Sequence, residues 1–156
     1  MTSVTCDCPR TAAVALVGFE ENEIAFLEGI LKRSRGPNTS NCVWQVHRKP
    51  SVEAAVQALG RESIPVVLCD GDRAPSAWKE LLERFRALPR PPLQIVTSRL
   101  ANDRLWAEAL NLGAWDVLAK PFERREVVRS VKGAWQHWYD QKHRSAMHNK
   151  VMRAAS

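Results

Sequence analysis

The 156-residue sequence has little cysteine and no long hydrophobic run. Its four cysteines are too few for a disulfide framework in a chain of this length, so a reducing, cytoplasmic environment is expected. The first apolar run, residues 12–18, is too short to span a bilayer and lacks a basic leader, so we predict neither a secretory signal nor a membrane segment. Cys6 and Cys8 would supply half of a metal site, but no second closely spaced Cys or His pair completes it. We therefore predict that residues 1–11 form a flexible N-terminus.

The sequence also lacks a Gly-rich phosphate-binding loop, internal repeats and a helix-turn-helix pattern. Because this loop is missing, a flavodoxin-like ligand-binding domain is the least supported of the functions we consider. The net charge is +6, but residues 123–156 hold eight basic and three acidic side chains, so almost all of the excess lies in the C-terminal segment. Nucleic-acid binding is therefore not expected of the rest of the chain.

Apolar blocks and helical patterns alternate along the chain. The predicted strands are 13–18, 43–46, 66–69, 93–97 and 115–119. A helix is predicted after each strand. The first has Ile24, Leu27, Ile30 and Leu31 inward, the second runs from Ser51 to near Gly60, and Pro75 opens the third. The fourth is capped by Asn102 or Asp103 and has Leu105, Trp106, Ala109, Leu110 and Leu112 inward, and a long fifth helix begins after Phe122. Such alternation predicts an α/β fold with a doubly wound, five-stranded parallel sheet of the flavodoxin-like type. We assign residues 12–133 to this domain and residues 134–156 to a basic helical extension.

Polar residues follow three of the predicted strands. Asp70 follows the third strand, Thr97 ends the fourth and Lys120 follows the fifth, at intervals of about one strand-helix unit. The carboxyl ends of parallel strands share one sheet edge, so these side chains should converge. A carboxylate can attack a phosphoryl group, and a lysine and a hydroxyl can hold the added oxygens. Each residue alone is typical of a turn, a strand or a solvated loop; their joint placement favours a phosphoryl-transfer site.

With these residues the sequence resembles the receiver domain of two-component response regulators from about residue 13 to residue 131. The motifs that carry the resemblance are VVLCD at 66–70, IVTS at 95–98 and, most distinctively, LGAWDVLAKPF at 112–122. The resemblance implies that Asp70 is the phosphoacceptor, Thr97 the switch hydroxyl and Lys120 the phosphate contact, with a cis peptide before Pro121. It also implies a signalling role without enzymatic activity beyond self-phosphorylation and autodephosphorylation, a histidine kinase or other signalling protein as partner, and Mg²⁺ as cofactor.

Two positions depart from the family pattern. Receivers carry an acidic pair after the first strand to hold Mg²⁺, and here those positions are Gly18 and Phe19. Glu20 and Glu21 follow at once, and we predict them as substitute metal ligands beside Asp70 and Asp72; the alternative is that they only stabilise the start of a helix. The second departure is Val117, where the family usually has an aromatic residue that rotates inward on activation.

The last predicted helix continues past the usual end of a receiver. Its apolar seam, Val128, Val131, Trp135 and Trp138, outlasts the domain by about two turns. Trp135 and Trp138 suggest an interaction surface, which includes a homodimer through this helix, because aromatic residues anchor interfaces. The alternative is that both fold back on the domain, and the sequence leaves the two open.

Two hypotheses for the function remain. In the one we favour, the chain is an atypical receiver that keeps Asp70 but has a degraded Mg²⁺ site and acts through protein-protein interaction. In the alternative, it is a fully competent phospho-accepting response regulator switched by a histidine kinase. The sequence names neither the kinase nor the output.

Overall fold

The computed structural model of the protein describes residues 10–37, 42–73 and 75–155. Strands and helices alternate along these residues. In chain order they are β1 (Thr11–Val17), α1 (Glu21–Arg33), β2 (Val43–Lys49), α2 (Val52–Leu59), β3 (Val66–Asp70), α3 (Ala77–Phe85), β4 (Leu93–Ser98), α4 (Asp103–Asn111), β5 (Asp116–Ala119) and α5 (Arg124–Ala154). Cys6 and Cys8, and with them the predicted half of a metal site, lie outside the described residues.

The five strands form one parallel sheet in the order β2-β1-β3-β4-β5. Residues of α1 and α5 pack on one face of the sheet, and residues of α2, α3 and α4 pack on the other. Every residue of the central strand β3 is buried, as its continuous apolar run predicts for a strand covered on both faces. The predicted doubly wound α/β fold is therefore confirmed, and the carboxyl ends of β3, β4 and β5 meet at one edge.

Local capping explains where several helices begin and end. The Ser51 side chain accepts a hydrogen bond from the amide of Ala54, and the Asn102 side chain accepts one from Leu105, so both predicted N-caps are present. Gly113 follows α4 with φ +104°, a left-handed conformation that favours glycine.

Two details of the predicted helices were wrong. Helix α3 begins at Ala77 rather than at Pro75, because residues 75 and 76 form a turn before it. In α4, Trp106 and Leu110 were expected inward but are 38% and 43% exposed. Helix α4 packs beside the edge strand β5 through Ala109, with Leu105 and Leu112 partly buried against the same cluster. Because positions 105, 109 and 112 face the core, positions 106 and 110 face outward.

Helix α5 is 31 residues long and has two parts. Its first part packs on the sheet through Val127, Val131, Ala134 and Trp135. From Asp140 to Ala155 every residue is exposed. None of the helices formed by residues 10–37, 42–73 and 75–155 combines the length and the apolar character that a membrane crossing requires.

Candidate functional site

Asp70 is the last residue of β3, and its side chain lies at the carboxyl edge of the sheet. The residue is only 3% exposed. Its Oδ1 atom accepts a hydrogen bond from the Lys120 amine at 2.7 Å and one from the Asp72 amide at 3.3 Å, and its Oδ2 atom accepts one from the Arg73 amide at 3.4 Å. The structure thus brings the predicted nucleophile and the predicted cation into direct contact across 50 residues of sequence.

Lys120, which follows β5, is the centre of a charged cluster. Its Nζ atom lies 2.6 Å from Glu23 Oε2, 2.7 Å from Asp70 Oδ1 and 3.4 Å from Asp72 Oδ2. We call these four residues the Lys120 cluster. Burial lowers the pKa of the Lys120 amine, but hydrogen bonds to Asp70 and Glu23 outweigh this effect and raise it above its usual value. The amine is therefore fully protonated at neutral pH, and three carboxylates share one ammonium.

Thr97 is the register partner of Asp70 on the neighbouring strand β4. It is fully buried, and its hydroxyl has no hydrogen-bond partner among the residues that the structure describes. Its carbonyl oxygen accepts a hydrogen bond from the Gly71 amide at 2.7 Å, which draws the turn after β3 against β4. A hydroxyl without an acceptor, one strand away from Asp70, is available to an incoming oxygen.

Asp72 connects the turn after β3 to the end of β4. Its Oδ1 atom accepts a hydrogen bond from the Ser98 hydroxyl at 2.7 Å, and its Oδ2 atom accepts one from the Arg99 amide at 3.0 Å. Burial raises the pKa of Asp72, but the hydrogen bonds from Ser98 and Arg99 and the charge of Lys120 hold it below its ordinary value. Asp72 is thus an ionised member of the cluster, fixed from two sides.

The first turn of α1 contributes a carboxylate other than the two predicted ones. Glu20 is the N-cap residue of the helix, and Glu21 lies 3.4 Å from Arg48. Within the described part of the chain, the α1 acid that contacts the Lys120 amine is Glu23, so the structure places a residue there that the sequence analysis missed. A local signal was present, because Glu23 stands three residues after the N-cap, the spacing at which a Glu side chain turns back to the start of its own helix.

The oxygen donors of this edge fit Mg²⁺ in chemical type. Carboxylates of Asp70, Asp72 and Glu23 are hard ligands of the kind Mg²⁺ takes, whereas Phe19, at a position where the family has an acid, is buried and offers no ligand. Across residues 10–37, 42–73 and 75–155 no group of three or more His, Cys, Asp or Glu side chains is arranged to hold a metal. In this arrangement the three carboxylates converge on the Lys120 ammonium.

Two further positions singled out in the sequence are Pro121, next to Lys120, and Val117, on β5. The peptide bond between Lys120 and Pro121 is cis, as predicted. Val117, at the position of the family's aromatic switch, is buried in the core that faces α2, α3 and α4.

A groove of about 480 Å³ opens beside the Lys120 amine. Phe26 and Phe122 stack in it with ring centroids 6.4 Å apart, and Phe26 is among the exposed large apolar side chains of the protein. The groove is lined by Asn22, Glu23, Phe26, Arg99, Lys120, Pro121 and Phe122. Access to the charged cluster is therefore flanked by an apolar surface.

The two tryptophans predicted as an interaction surface have different surroundings. Trp135 is 3% exposed, belongs to the core and stacks on Tyr139 at 4.9 Å, so it folds back on the domain and does not form a surface. Trp138 is half-buried, with Arg90 5.7 Å and Lys142 5.5 Å from its ring centroid. The fold-back alternative therefore holds for Trp135, while Trp138 keeps part of its ring accessible.

The chain is similar to known proteins in part of its sequence and in its fold. No family model matches the chain. It is 37% identical over 82 residues to the response regulator protein FleR of Pseudomonas aeruginosa, an alignment that covers 52% of this chain and 17% of FleR. The chain therefore spans only a small part of the length of this relative.

Solved structures give the same fold over most of the chain. The signal receiver domain of an HD domain-containing protein from Pseudomonas fluorescens superposes with a TM-score of 0.75 at 19% identity, covering 91% of this chain and 99% of that one. A response regulator from Chloroflexus aurantiacus gives 0.68 at 23% identity, covering 81% and 98%. The likeness to response regulator receiver domains thus holds for the fold, and the sequence match points in the same direction.

Proposed function

We propose that this chain, a receiver-like domain of the two-component response-regulator type, accepts a phosphoryl group on Asp70 and passes the signal on through its surface. The observation that carries the proposal is the combination of a buried Asp70 held by Lys120 at 2.7 Å with an unpartnered, buried Thr97 hydroxyl in register beside it. A phosphoryl group on Asp70 would give both Lys120 and Thr97 an oxygen to bind.

The chemistry follows from these side chains. A carboxylate oxygen of Asp70 attacks the phosphorus of a phosphohistidine or an acyl phosphate. The new bond joins that oxygen to phosphorus, and the bond from phosphorus to the donor's nitrogen or oxygen breaks with its electron pair on the donor. Lys120 neutralises one charge of the transferred group. Mg²⁺ bound through Asp70 and Asp72 would neutralise more of it, with Glu20 or Glu21 as the predicted further ligand.

The partner that fits this reaction is a histidine kinase or another protein that carries a phosphohistidine. The groove formed by Phe26 and Phe122 beside Lys120 gives such a partner an apolar surface to contact next to the reacting carboxylate. Homodimerisation through α5 stays a prediction, and the exposed residues from Asp140 onward are where it would occur.

The protein-interaction role that the sequence favoured is the second candidate function, and it has its own observation. Phe19 is buried at a position where the family has an acid, and Val117 replaces the aromatic switch. In this alternative the fold serves as a binding module, and regulation comes from association rather than from phosphorylation.

Intact mass after incubation with acetyl phosphate separates the two functions. We expect a gain of one phosphoryl group, about 80 Da, that requires Asp70 and disappears in Asp70→Asn. Asp103→Asn, which changes an exposed carboxylate at the start of α4, is the matched control and should keep the gain. No gain in the folded wild-type protein, with a known receiver labelled in parallel, would refute the phosphoacceptor and leave the binding module.

A further inference from the structure

Glu23 uses both carboxylate oxygens for contacts that join the candidate site to helix α1. Its Oε2 atom lies 2.6 Å from the Lys120 amine, and its Oε1 atom accepts a hydrogen bond from the Glu20 amide at 3.3 Å. Both partners of the Lys120 contact are largely buried, so the pair is shielded from solvent. The same side chain therefore holds the cation of the site and caps the first turn of a helix.

The charge balance of the Lys120 cluster changes when Asp70 is modified. Three carboxylates and one ammonium leave a formal charge of −2. An acyl phosphate on Asp70 replaces one negative charge by nearly two, which brings the cluster to about −3. The new phosphoryl oxygens need the same ammonium that Glu23 already binds, and like charges at this separation repel.

We infer that Glu23 is a positioning residue that competes with the phosphoryl group for Lys120. In the unmodified protein Glu23 holds the amine in place. On phosphorylation of Asp70 the amine turns to the phosphoryl oxygens, and Glu23 gives up that contact. The inference rests on the proposed function, since it assigns a regulatory role within the same site.

The release of Glu23 has a route to the protein surface. Glu23 is the third residue of α1, and Phe26 lies three residues further along the same helix, in the groove with Phe122. When Glu23 leaves Lys120, the hydrogen bond that it accepts from the Glu20 amide changes with it. The first turn of α1 and the apolar groove therefore sense the state of Asp70 without an aromatic residue at position 117.

The test compares Glu23→Gln with Glu28→Gln. Both remove one negative charge from α1, but Glu28 pairs with Arg48 and does not contact Lys120 among the described residues. We measure phosphoryl gain from acetyl phosphate by intact mass, with and without Mg²⁺. The Mg²⁺-free rate of Glu23→Gln should be about tenfold above wild type, and the ratio of the rates with and without Mg²⁺ should shrink by the same factor. Glu28→Gln should behave like wild type.

Amide hydrogen exchange supplies a second readout. Phosphorylation of the wild-type protein should speed exchange at the Glu20 amide, whereas in Glu23→Gln the exchange at this amide should be the same before and after phosphorylation. If Glu23 had only a structural role, Glu23→Gln would lower the rates of phosphoryl gain with and without Mg²⁺ equally and leave their ratio unchanged. That result would overturn the inference.

Two further outcomes identify which idea has failed. A lower Mg²⁺-dependent rate in Glu23→Gln, with wild type still phosphorylated, would make Glu23 a metal ligand and would overturn only the competition with the phosphoryl group. No phosphoryl gain in wild type or in either variant would overturn the proposed function, and this inference with it.

Discussion

Asp70 and Thr97 lie side by side in register at the carboxyl ends of two parallel strands. Asp70 has several hydrogen-bond partners, whereas the Thr97 hydroxyl has none among the described residues. A buried polar group without a partner destabilises a protein by about 1–3 kcal/mol. Under the proposed function, a phosphoryl group on Asp70 would offer oxygen acceptors to this hydroxyl and would remove that cost.

Gly71 should be the least replaceable residue of the turn after β3. A Cβ atom at this position would lie 2.9 Å from the Thr97 carbonyl oxygen, which is backbone and cannot move aside. We expect Gly71→Ala to lower the free energy of unfolding by about 2 kcal/mol and to slow phosphoryl gain, because the Gly71–Thr97 hydrogen bond of 2.7 Å aligns β3 with β4. Urea unfolding and intact mass give the two measurements.

Gly29→Ala is the matched control for that substitution. Gly29 lies within α1, and a Cβ atom there meets nothing within 4 Å. Alanine at this helical position should raise stability by about 0.5–1 kcal/mol. Equal effects of the two substitutions would contradict the close approach at Gly71.

The two tryptophans of α5 should differ in their contribution to stability. Trp135→Ala should lower the free energy of unfolding by about 4 kcal/mol, because Trp135 fills the core between α5 and the sheet. Trp138→Ala should cost about 1 kcal/mol, since its ring is half-buried and its charged neighbours, Arg90 and Lys142, stay solvated. Chemical denaturation of both variants measures this; similar losses would show that α5 packs differently.

These two tryptophans also show what sequence periodicity can and cannot predict. The spacing of Val128, Val131, Trp135 and Trp138 predicts an apolar face of a long helix. Val131 and Trp135 do lie on the buried face, but its other apolar residues are Val127 and Ala134, which the predicted face did not include. The spacing does not say whether that face meets the protein's own sheet or a partner, because both surfaces select the same residue types. The answer depended on how far the helix runs along the sheet before it passes the edge.

Only the strand-end residues of the candidate site could be predicted from the sequence. Asp70, Thr97 and Lys120 could be placed together because strand ends of a parallel sheet share one edge. Glu23 could not be found in this way, since it lies on a helix, and its direction is set by the first turn of α1 rather than by a strand end. Which acid follows the strand most closely in sequence does not decide which acid reaches the site.

Cys69 should be unreactive in the folded protein. Burial raises the pKa of its thiol to about 12, and the adjacent Asp70 carboxylate adds to the shift. At pH 8 about one thiol in ten thousand is then ionised, and the side chain is also inaccessible. Peptide mapping after iodoacetamide treatment should find Cys69 unmodified in native protein and modified in urea. Rapid labelling of native protein at this residue would contradict its burial.

The ion pair between Arg48 and Glu28 should make the free energy of unfolding more sensitive to acid. A hydrogen bond and charge from Arg48 hold the pKa of Glu28 below its ordinary value. Stability from such a carboxylate is present above its ordinary pKa and is lost as the pH falls through the lower, folded-state pKa. We expect Arg48→Gln to raise the pKa of Glu28 in NMR titration and to reduce the stability lost between pH 5 and pH 3. Arg33 is an exposed arginine at the end of α1, the helix that carries Glu28. Arg33→Gln should leave the pKa of Glu28 and the acid dependence of stability unchanged.

The charge imbalance of the Lys120 cluster also affects how a phosphodonor arrives. Three carboxylates around one ammonium give the Lys120 cluster a formal charge of −2, whereas the exposed residues Arg73 and Arg99 lie next to it at the same edge of the sheet. The field that an anionic donor meets is set by the balance of these groups, and the rate of phosphoryl gain from acetyl phosphate at rising salt concentration measures that balance. Under the proposed function, the site would select a donor by the charge of its surroundings as well as by its chemistry.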